Sequence, residues 1–560
     1  MPTPCPSKLS RRLPPVATLV ASSALLLSIA GCGGSSTRDL PFTAPPVVTP
    51  PVVNLPSVDI SAVTPADPGS ALTSGWQKGV FMEIYVRGYK DSNGDGKGDL
   101  KGLIQSLDYI KDLGIKGIWL MPITSSQDGD HGYAVSDYRN IETAYGTLAD
   151  FDELIKQAHA RGIGVIIDYV MNHSAAENPL FVNSRASSGN AYRSWYIWQA
   201  SAPTGWSIYG SNPWKTVASG SYFAGFWDQM PDFNLTNPAV LDYHKNNLRF
   251  WLNRGADGFR FDAVGNLVEN GPSAWENQPQ NYPVMGQINA LVAGYSHRYM
   301  VCEAPADPAG FNASSACGSA FAFNLSGNII KAARNDTTAI RAVSDYFKTA
   351  SSTMATMASN HDLFAGDRLW NQVGGDQAQY KLAAATYLLQ PGTPFVYYGE
   401  EIGMAAAGNI THDGRLRTPM SWSADSTNAG FTTGSPFRSL SSNVATQNVA
   451  AQLADTNSIL SFYKSMISLR NTHPSIAQGT YLAPFVSGSV MGFQRQLANE
   501  QTLILINYAT QTNSVTVTGL PANAALGSAF PANGTATVSD GSGAAQINMA
   551  AQSVRVFTIK

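Results

Sequence analysis

The sequence predicts an α/β fold: a (β/α)8 barrel, an inserted domain after the third barrel strand, and a C-terminal antiparallel β-sandwich. Between residues 76 and 477, short apolar runs alternate with helix-length segments, which is the pattern of a parallel barrel. One interval between two of these runs is too long for a single strand–helix unit, which indicates an insertion. From residue 478 to residue 560, alternating Thr, Val, Ile and Gly indicate a small antiparallel domain.

Eight runs supply the predicted barrel strands. Each is short, mostly apolar and followed by a turn or a helix-length segment, as buried parallel strands are. The runs are Val80–Tyr85, Gly117–Met121, Gly164–Tyr169, Gly258–Asp262, Tyr299–Glu303, Ala320–Phe323, Thr356–Ser359 and Pro394–Tyr398.

The insertion follows the third strand. Asp262 lies 94 residues after Asp168, whereas Glu303 lies only 41 residues after Asp262. Residues 173–235 are therefore predicted to form a separate small domain, and a helix from Pro238 to Asn253 completes the barrel unit. The insert is rich in Trp and Tyr. These side chains are predicted to form either one wall of an open cleft or a small apolar core within the long inserted segment.

The composition limits the class of partner. Hydrophobic residues make up 44% of the 560 residues, so large cores are expected and wholesale disorder is excluded. The 36 Lys and Arg nearly balance the 39 Asp and Glu, and the absence of a basic excess argues against a nucleic-acid partner. Only 13% of the residues are charged. A neutral, polar partner such as a sugar fits this composition.

The N-terminus has the features of an export signal. Basic residues precede an apolar run, Val16–Ala30, and Cys32 follows small residues, as in a bacterial lipoprotein signal. Residues 1–31 are predicted to be removed, with lipid on Cys32 anchoring the protein to the cell envelope; an ordinary secretory signal is the alternative. Residues 32–75 are Pro-rich and predict an extended tether without a core.

Four acidic residues occupy predicted strand ends. Asp168, Asp262, Glu303 and Asp362 each fall at the C-terminal end of a strand, and that end carries the chemistry of such barrels. Each alone could be a strand-end cap. Arg260 lies two residues before Asp262 and shares its face of the strand, so we expect an ionised Asp262 with a low pKa.

Glu303 has a different predicted environment. It follows an apolar run without an adjacent cation, so we expect a raised pKa and a role as proton donor. A nucleophilic carboxylate facing a protonated one is the pair required for retaining glycoside hydrolysis.

The segments around these residues resemble, in order, the diagnostic segments of glycoside hydrolase family 13, the α-amylase family. The resemblance covers residues 76 to about 475. The segments are Asp168–His173, Gly258–Ala263, Cys302–Glu303, Ser359–Asp362, Met230–Asn234 and Gly392–Glu400.

The resemblance implies roles for individual residues. Asp262 would be the nucleophile, Glu303 the general acid/base, and Asp362 the third carboxylate that binds sugar hydroxyls. The remaining substrate-binding positions that it implies are His131, Tyr133, Asp168, His173, Arg260 and His361, with Arg368 as a further candidate.

One loop resembles the calcium loop that follows the first strand in many family members. Oxygen-bearing side chains alternate with glycines between Asp91 and Asp99, which suits Ca²⁺. The implied ligands are Asp91, Asn93, Asp95, the backbone carbonyl of Lys97, and Asp99. The alternative is a solvated turn without a metal. A second calcium through Asn172, as in many amylases, is left open.

Cys302 and Cys317 would be the cysteines left after signal removal and lipidation. An oxidising compartment would allow a disulfide between them, and two buried free thiols are the alternative. We expect a monomer that binds α-glucan or maltooligosaccharide.

The resulting prediction is a lipid-anchored, calcium-binding α-amylase that cleaves internal α-1,4 bonds with retention. Gly265 and Asn266 stand where many α-amylases have a basic residue and a His that contact the leaving side. An exo-acting α-glucosidase, an oligo-1,6-glucosidase or a transglucosylase is therefore the alternative within the family. A non-catalytic glucan-binding lipoprotein is the alternative that is not an enzyme, and the intact carboxylates argue against it.

Overall fold

A computed structural model describes residues 54–560. Its strands are β1 (Phe81–Ile84), β2 (Gly117–Leu120), β3 (Thr124–Ser126), β4 (Val135–Ile141), β5 (Gly164–Tyr169), β6 (Trp198–Gln199), β7 (Trp214–Val217), β8 (Gly220–Phe223), β9 (Gly258–Phe261), β10 (Tyr299–Cys302), β11 (Ala355–Thr356), β12 (Thr393–Tyr397), β13 (Thr480–Ser487), β14 (Val490–Leu497), β15 (Glu500–Asn507), β16 (Asn513–Val517), β17 (Ala525–Phe530), β18 (Thr537–Val538), β19 (Ala545–Met549) and β20 (Ser553–Ile559).

The helices of the same part of the chain alternate with the barrel strands and continue to the C-terminal domain. They are α1 (Val86–Tyr89), α2 (Leu100–Gln105), α3 (Leu107–Leu113), α4 (Leu148–His159), α5 (Pro179–Ala186), α6 (Pro238–Asn253), α7 (Asn281–Ala293), α8 (Pro308–Phe311), α9 (Phe323–Ala333), α10 (Thr337–Thr349), α11 (Leu369–Gln372), α12 (Gln377–Leu389), α13 (Val449–Gln452), α14 (Ile459–Thr472) and α15 (Pro474–Gln478). None of these helices is long and apolar enough to cross a membrane.

The barrel is a parallel sheet of seven strands in the order β10-β9-β5-β2-β1-β12-β11. The predicted sixth strand, Ala320–Phe323, is not a full strand. Ala320 bridges to β10 and Phe321 bridges to β11, so the segment nearly closes the barrel with two isolated bridges. It is short because helix α9 already begins at Phe323.

Local sequence signals fix the elements around the barrel. The barrel strands β1, β2, β5, β9, β10 and β12 are buried at every position, as expected for strands covered on both faces. Helix α4 begins with a capping box, in which Thr147 and Asp150 satisfy each other's backbone N–H groups. Asn237 caps α6, and Pro238 occupies its first turn, as is common at helix starts.

The N-terminal end of the barrel is closed by apolar side chains. Trp76 is buried there and packs against Phe81, with ring centroids 5.4 Å apart. Together with Leu72 and the barrel-lining side chains it forms one continuous apolar cluster. The opposite, C-terminal end is therefore the end that can receive a ligand.

The described part of the predicted tether lies on the barrel surface. The backbone N–H groups of Val63 and Ala66 donate to the side-chain oxygens of Asn246 (3.0 Å) and Asn253 (2.9 Å). Residues 54–75 are therefore not the free spacer that the sequence predicts, because side chains of helix α6 accept hydrogen bonds from the backbone of this extended, Pro-rich segment. The signal segment and Cys32 lie outside the described residues.

The insert and the C-terminal domain have their own sheets. Strands β6, β8 and β7 form a three-stranded sheet within the insert, and α5 precedes it. The C-terminal domain consists of a six-stranded sheet, β13-β14-β15-β20-β17-β18, and the pair β16-β19, all antiparallel. Side chains of both sheets share an apolar cluster, as in a sandwich.

Cys302 and Cys317 form a disulfide. The structure therefore has the disulfide and not the two free thiols that were the alternative. The bond joins the last residue of β10 to the loop that leads to the two bridging residues of the barrel.

Candidate active site

Several barrel strands bring acidic side chains to the C-terminal end of the barrel. Asp168 lies within β5, Asp262 follows β9, and Glu303 follows β10. The backbone N–H of Asp262 donates to the last residue of β5 (3.2 Å) and that of Glu303 to the last residue of β9 (2.9 Å). The two carboxylates are therefore held at the same level on adjacent strands. Asp362 reaches the same end from the loop after β11.

The buried guanidinium of Arg260 holds three of these carboxylates. Its Nη1 lies 2.7 Å from Asp262 Oδ1 and 2.9 Å from Asp168 Oδ1, and its Nη2 lies 2.7 Å from Glu303 Oε2. Asp262 and Glu303 are thus separated by a single guanidinium group. This close approach is compatible with the separation of about 5–5.5 Å between the carboxyl groups of retaining glycosidases.

Two electrostatic predictions from the sequence are wrong in part. Glu303 does have an adjacent cation, because Arg260 contacts it, yet burial outweighs that attraction and raises the pKa of Glu303 to about 7. Burial also raises the pKa of Asp262, although the attraction of Arg260 opposes this, so the expected low pKa is not found. The reason is that Arg260 divides its positive charge among three dehydrated carboxylates.

Ala263 has a strained backbone that serves this pair. Its φ is +46°, a left-handed conformation that is uncommon for a residue with a side chain. In this conformation its N–H donates to Glu303 Oε2 over 3.0 Å. The strain therefore coincides with a hydrogen bond that orients the proposed acid/base.

Asp362 is the most strongly ionised acid of the site. His361 Nε2 lies 3.0 Å from one of its oxygens and Arg417 Nη2 lies 2.8 Å from the other. Burial favours the neutral form, but these cations outweigh it and hold the pKa of Asp362 below its usual range. Burial lowers the pKa of His361, yet Asp362 and Glu83 raise it to about 10, so this imidazole is cationic.

Arg417 and Glu83 were not selected from the sequence. Glu83 is buried within β1 and contacts His361 Nδ1 over 2.6 Å. A carboxylate inside an otherwise apolar barrel strand is a signal that could have identified it. Arg417 lies in an irregular loop beyond β12, and no periodicity there indicates where its side chain points.

The other predicted substrate-binding residues divide into two groups. Tyr133, His131 and His173 line the cavity above the carboxylates. Burial lowers the pKa of His173 to about 3, so it is neutral, and its buried Nε2 has no hydrogen-bond partner. Asp168 lies beneath the cavity, where it accepts from the Tyr133 hydroxyl over 3.0 Å. It therefore positions Tyr133 and Arg260 instead of forming the wall.

Arg368 is not brought to the cavity, so the prediction for this residue is wrong. It is buried, and it donates to the backbone carbonyls of Tyr398 (2.8 Å) and Leu416 (3.0 Å). Its side chain thus supports the loops after β12. The cation that contacts Asp362 is Arg417 instead.

The cavity has a volume of about 430 Å³, toward the small end of ligand pockets. The insert contributes Phe226, Trp227 and Met230 to its wall, while Ile208, Trp214 and Phe223 form a small apolar core. Different residues of the aromatic insert therefore line the cavity and form a small apolar core. The other lining residues are His131, Tyr133, His173, Asp262, Ala263, Glu303, Asp362, Phe364, Asp413 and Arg417.

The predicted calcium loop is held by its own hydrogen bonds. The carboxylate of Asp91 accepts from the N–H groups of Asn93 (2.9 Å), Gly94 (2.8 Å) and Gly96 (2.8 Å). Asp99 caps helix α2 through the N–H of Gly102. Among the described residues, no three His, Cys, Asp or Glu side chains are grouped as metal ligands. Asn93 Oδ1 and Asp95 Oδ1 likewise accept backbone N–H groups of the loop, from Asp95 (2.9 Å) and Lys97 (2.8 Å).

Asn172 faces a carboxylate instead of an open ligand site. Its side-chain amide donates to Asp232 Oδ2 over 3.0 Å. Burial raises the pKa of Asp232 to about 7. The amide group of Asn172 is thus already engaged between the barrel and the insert.

Comparisons with known proteins find relatives in both sequence and structure. The family model of the alpha amylase catalytic domain matches residues 83–479. An oligo-1,6-glucosidase of Parageobacillus thermoglucosidasius is 30% identical, covering 78% of this chain and 91% of that protein. Alpha-amylase 3 of Dictyoglomus thermophilum is 33% identical, covering 77% and 85%. The crystal structure of trehalulose synthase MutB from Pseudomonas mesoacidophila superimposes with a TM-score of 0.75 at 26% identity, covering 87% and 99%.

Proposed function

The chain belongs to the α-amylase family of glycoside hydrolases, and we propose that it acts on chain ends, cleaving or transferring single α-glucosyl units of short oligosaccharides. Relatives named as oligo-1,6-glucosidase and trehalulose synthase support this alternative better than the endo-acting α-amylase predicted first. The observation that carries the proposal is the compact cavity above Asp262 and Glu303.

Charged residues limit the space around the bound sugar. Arg417 lines the cavity, where its Nη2 contacts Asp362 (2.8 Å) and lies 3.7 Å from Asp413. Opening this cluster to thread a long glucan would separate the buried guanidinium of Arg417 from Asp362 and leave it unpaired, which is costly. An endo-acting enzyme needs room on both sides of the scissile bond. The cavity of about 430 Å³ fits the end of a chain better.

The chemistry follows from the two adjacent carboxyl groups. Protonated Glu303 donates its proton to the glycosidic oxygen while Asp262 attacks the anomeric carbon, which yields a β-glucosyl ester on Asp262. Glu303, now ionised, takes a proton from water or from a sugar hydroxyl, and the oxygen of that acceptor displaces the ester. Two inversions give net retention of the α configuration.

The surrounding residues bind the glucosyl unit. Ionised Asp362 accepts hydrogen bonds from sugar hydroxyls, and the free Nε2 of neutral His173 adds a further partner. Arg260 and cationic His361 stay beneath the ring. Their positive charge offsets the repulsion among the buried carboxylates that they contact: Asp168, Asp262 and Glu303 beside Arg260, and Glu83 and Asp362 beside His361.

The position of cleavage is tested with a defined maltooligosaccharide such as maltoheptaose. We expect early products to be glucose and the chain shortened by one unit, because the proposed exo action removes one terminal unit at a time. Chromatography of the first few per cent of conversion measures this. Maltose, isomaltose and pullulan assayed in parallel identify the accepted linkages. Early maltotriose and maltotetraose, with rapid loss of the iodine colour of amylose, would contradict exo action.

We also propose that the loop from Asp91 to Asp99 binds Ca²⁺. The oxygen-bearing side chains that alternate along the loop support this proposal. The hydrogen bonds within the loop explain how it folds without the metal. Added Ca²⁺ is expected to raise the melting temperature, because a ligand that binds only the native state adds about 2.7 kcal/mol at a hundredfold excess over Kd. Differential scanning calorimetry with Ca²⁺ or a chelator measures this.

The matched variants for the calcium test are Asp95→Asn in the loop and Asp540→Asn in the C-terminal domain. Both carboxylates accept backbone N–H groups in exposed turns. The calcium-dependent shift should vanish in Asp95→Asn and persist in Asp540→Asn. Equal melting temperatures of the wild type with calcium and with chelator would remove the metal from this loop.

Export and a lipid anchor are further proposals. They rest on the apolar run Val16–Ala30 and on Cys32. A monomeric state is likewise proposed.

A further inference from the structure

Four aromatic side chains are exposed around the mouth of the catalytic cavity. Phe226, Trp227 and Phe364 line the cavity and are 42%, 43% and 60% exposed, and Tyr209 is 65% exposed. The ring of Tyr209 stacks on that of Phe226, with centroids 5.8 Å apart. They are the only exposed large aromatics of the described chain. Such clustering of exposed apolar surface marks a binding site.

Tyr209 occupies a backbone position that disfavours its side chain. The backbone N–H and C=O groups of Ile208 and Ser211 are mutually hydrogen-bonded (2.8 and 2.9 Å), and φ is +48° at Tyr209 and +82° at Gly210. Positive φ at both central residues defines a type I′ turn, in which Asn, Asp and Gly are preferred. A bulky residue there is strained. Since the ring gains little burial, its presence points to a role in binding.

The turn is anchored so that the ring has a defined place. Ile208 is buried in the small core of the insert, beside Trp214 and Phe223. On the other side, Trp275 from the loop after β9 meets the Tyr209 ring edge-on, with centroids 5.4 Å apart. The insert and the barrel therefore hold the ring from two sides.

Tyr209 lies against the loop after β9, and this loop begins beside Glu303: the N–H of Ala263 donates to Glu303 Oε2 (3.0 Å) and the N–H of Val264 donates to the Glu303 carbonyl (3.2 Å). Burial and the negative charges of Glu276, Glu303 and Asp262 raise the pKa of Tyr209 to about 12, while the nearby Asn266 side chain lowers it. Glu303 protonates the glycosidic oxygen, so groups beside it face the departing sugar. Asn266 thus supplies a neutral polar partner at this place.

We propose that Tyr209 is a specificity-determining residue that stacks on the sugar leaving the scissile bond, with Trp275 and Asn266 supporting it. This rests on the proposed function and extends it to the leaving-group side. An aromatic face with neutral polar neighbours suits a neutral pyranose ring.

The position beside Tyr209 that holds the leaving sugar would also hold the acceptor in the second step of the reaction. The C–O bond of the glucosyl ester on Asp262 breaks, the acceptor oxygen bonds to the anomeric carbon, and the acceptor proton goes to Glu303. Water competes for the same ester. Loss of the Tyr209 ring should therefore shift products from transfer toward hydrolysis.

The test compares two substrates that differ only in the leaving group. Maltose or isomaltose, whichever the wild type cleaves faster, leaves a sugar, whereas α-glucosyl fluoride leaves only fluoride. Tyr209→Asn keeps the turn, because Asn tolerates positive φ. For this variant we expect kcat/KM to fall about tenfold on the disaccharide and to be unchanged on the fluoride. Tyr346→Asn on helix α10 is the control and should change neither value.

The outcomes separate this proposal from the proposed function. Equal losses on both substrates, or no loss on the disaccharide, would overturn the role of Tyr209 while leaving the glucosidase intact. A wild type inactive on disaccharide and fluoride would overturn the proposed function and this inference with it. The melting temperature of Tyr209→Asn should not fall, since the substitution relieves strain, so loss of folding cannot mimic the expected result.

Discussion

Replacing Asp262 by asparagine is expected to abolish turnover, with kcat falling by about 10⁴-fold or more. The amide of Asn cannot form the glucosyl ester. The loss should be as large on α-glucosyl fluoride as on a disaccharide, because both substrates require the nucleophile. Initial rates on both substrates measure this.

Controls for the Asp262 variant distinguish chemistry from folding. Asp367→Asn changes an acid outside the cavity lining, which pairs with Arg415 (3.0 Å) and accepts the N–H of Arg368 (2.8 Å), and it should keep nearly full activity. In Asp262→Ala, azide should enter the space left by the carboxylate and yield β-glucosyl azide from α-glucosyl fluoride. Substantial activity of Asp262→Asn on either substrate would contradict the assignment.

Replacing Glu303 by glutamine is expected to lower kcat on disaccharides by about 10²–10⁴-fold. Gln keeps the size and the hydrogen bond with the N–H of Ala263, but it cannot donate a proton to the glycosidic oxygen. Formation of the ester from α-glucosyl fluoride needs no proton, so that step should be far less affected. Pre-steady-state release of fluoride measures it, and Glu177→Gln on the exposed surface is the matched control.

The pH dependence gives the same residue a second signature. Burial raises the pKa of Glu303 to about 7, and the group is an acid only while it is protonated. We therefore expect kcat/KM on disaccharides to fall as the pH rises through about 7, and the fall should be absent in Glu303→Gln. An unchanged alkaline limb in this variant would assign the titration to another group.

The strand pattern predicts much of the site, because parallel strands end together at one rim. That rule places Asp168, Asp262 and Glu303, and the two-residue spacing of Arg260 and Asp262 predicts their contact. The apolar pattern places the sixth barrel segment at Ala320–Phe323, but it cannot predict that only two isolated bridges remain there, between the disulfide loop and helix α9. Nor does composition show that residues 54–75 find backbone partners on helix α6.

The remaining differences have electrostatic or tertiary causes. The pKa of Asp262 depends on burial and on the sharing of Arg260 with Asp168 and Glu303, which no neighbour in the sequence reveals. Arg417 was missed and Arg368 was misplaced because both lie in irregular loops, where direction is set by long-range packing. Tyr209 belongs to the aromatic insert, but its left-handed turn is visible only in the folded backbone.

The most direct test of the account is to trap the sugar on the enzyme. Glu303→Gln, mixed with α-glucosyl fluoride, should form the ester quickly and hydrolyse it slowly. Intact-protein mass spectrometry is then expected to show an added mass of one anhydroglucose unit, and peptide mapping should place it on Asp262. An adduct on another residue, or turnover of the fluoride to β-glucose without any adduct, would contradict the two-carboxylate mechanism.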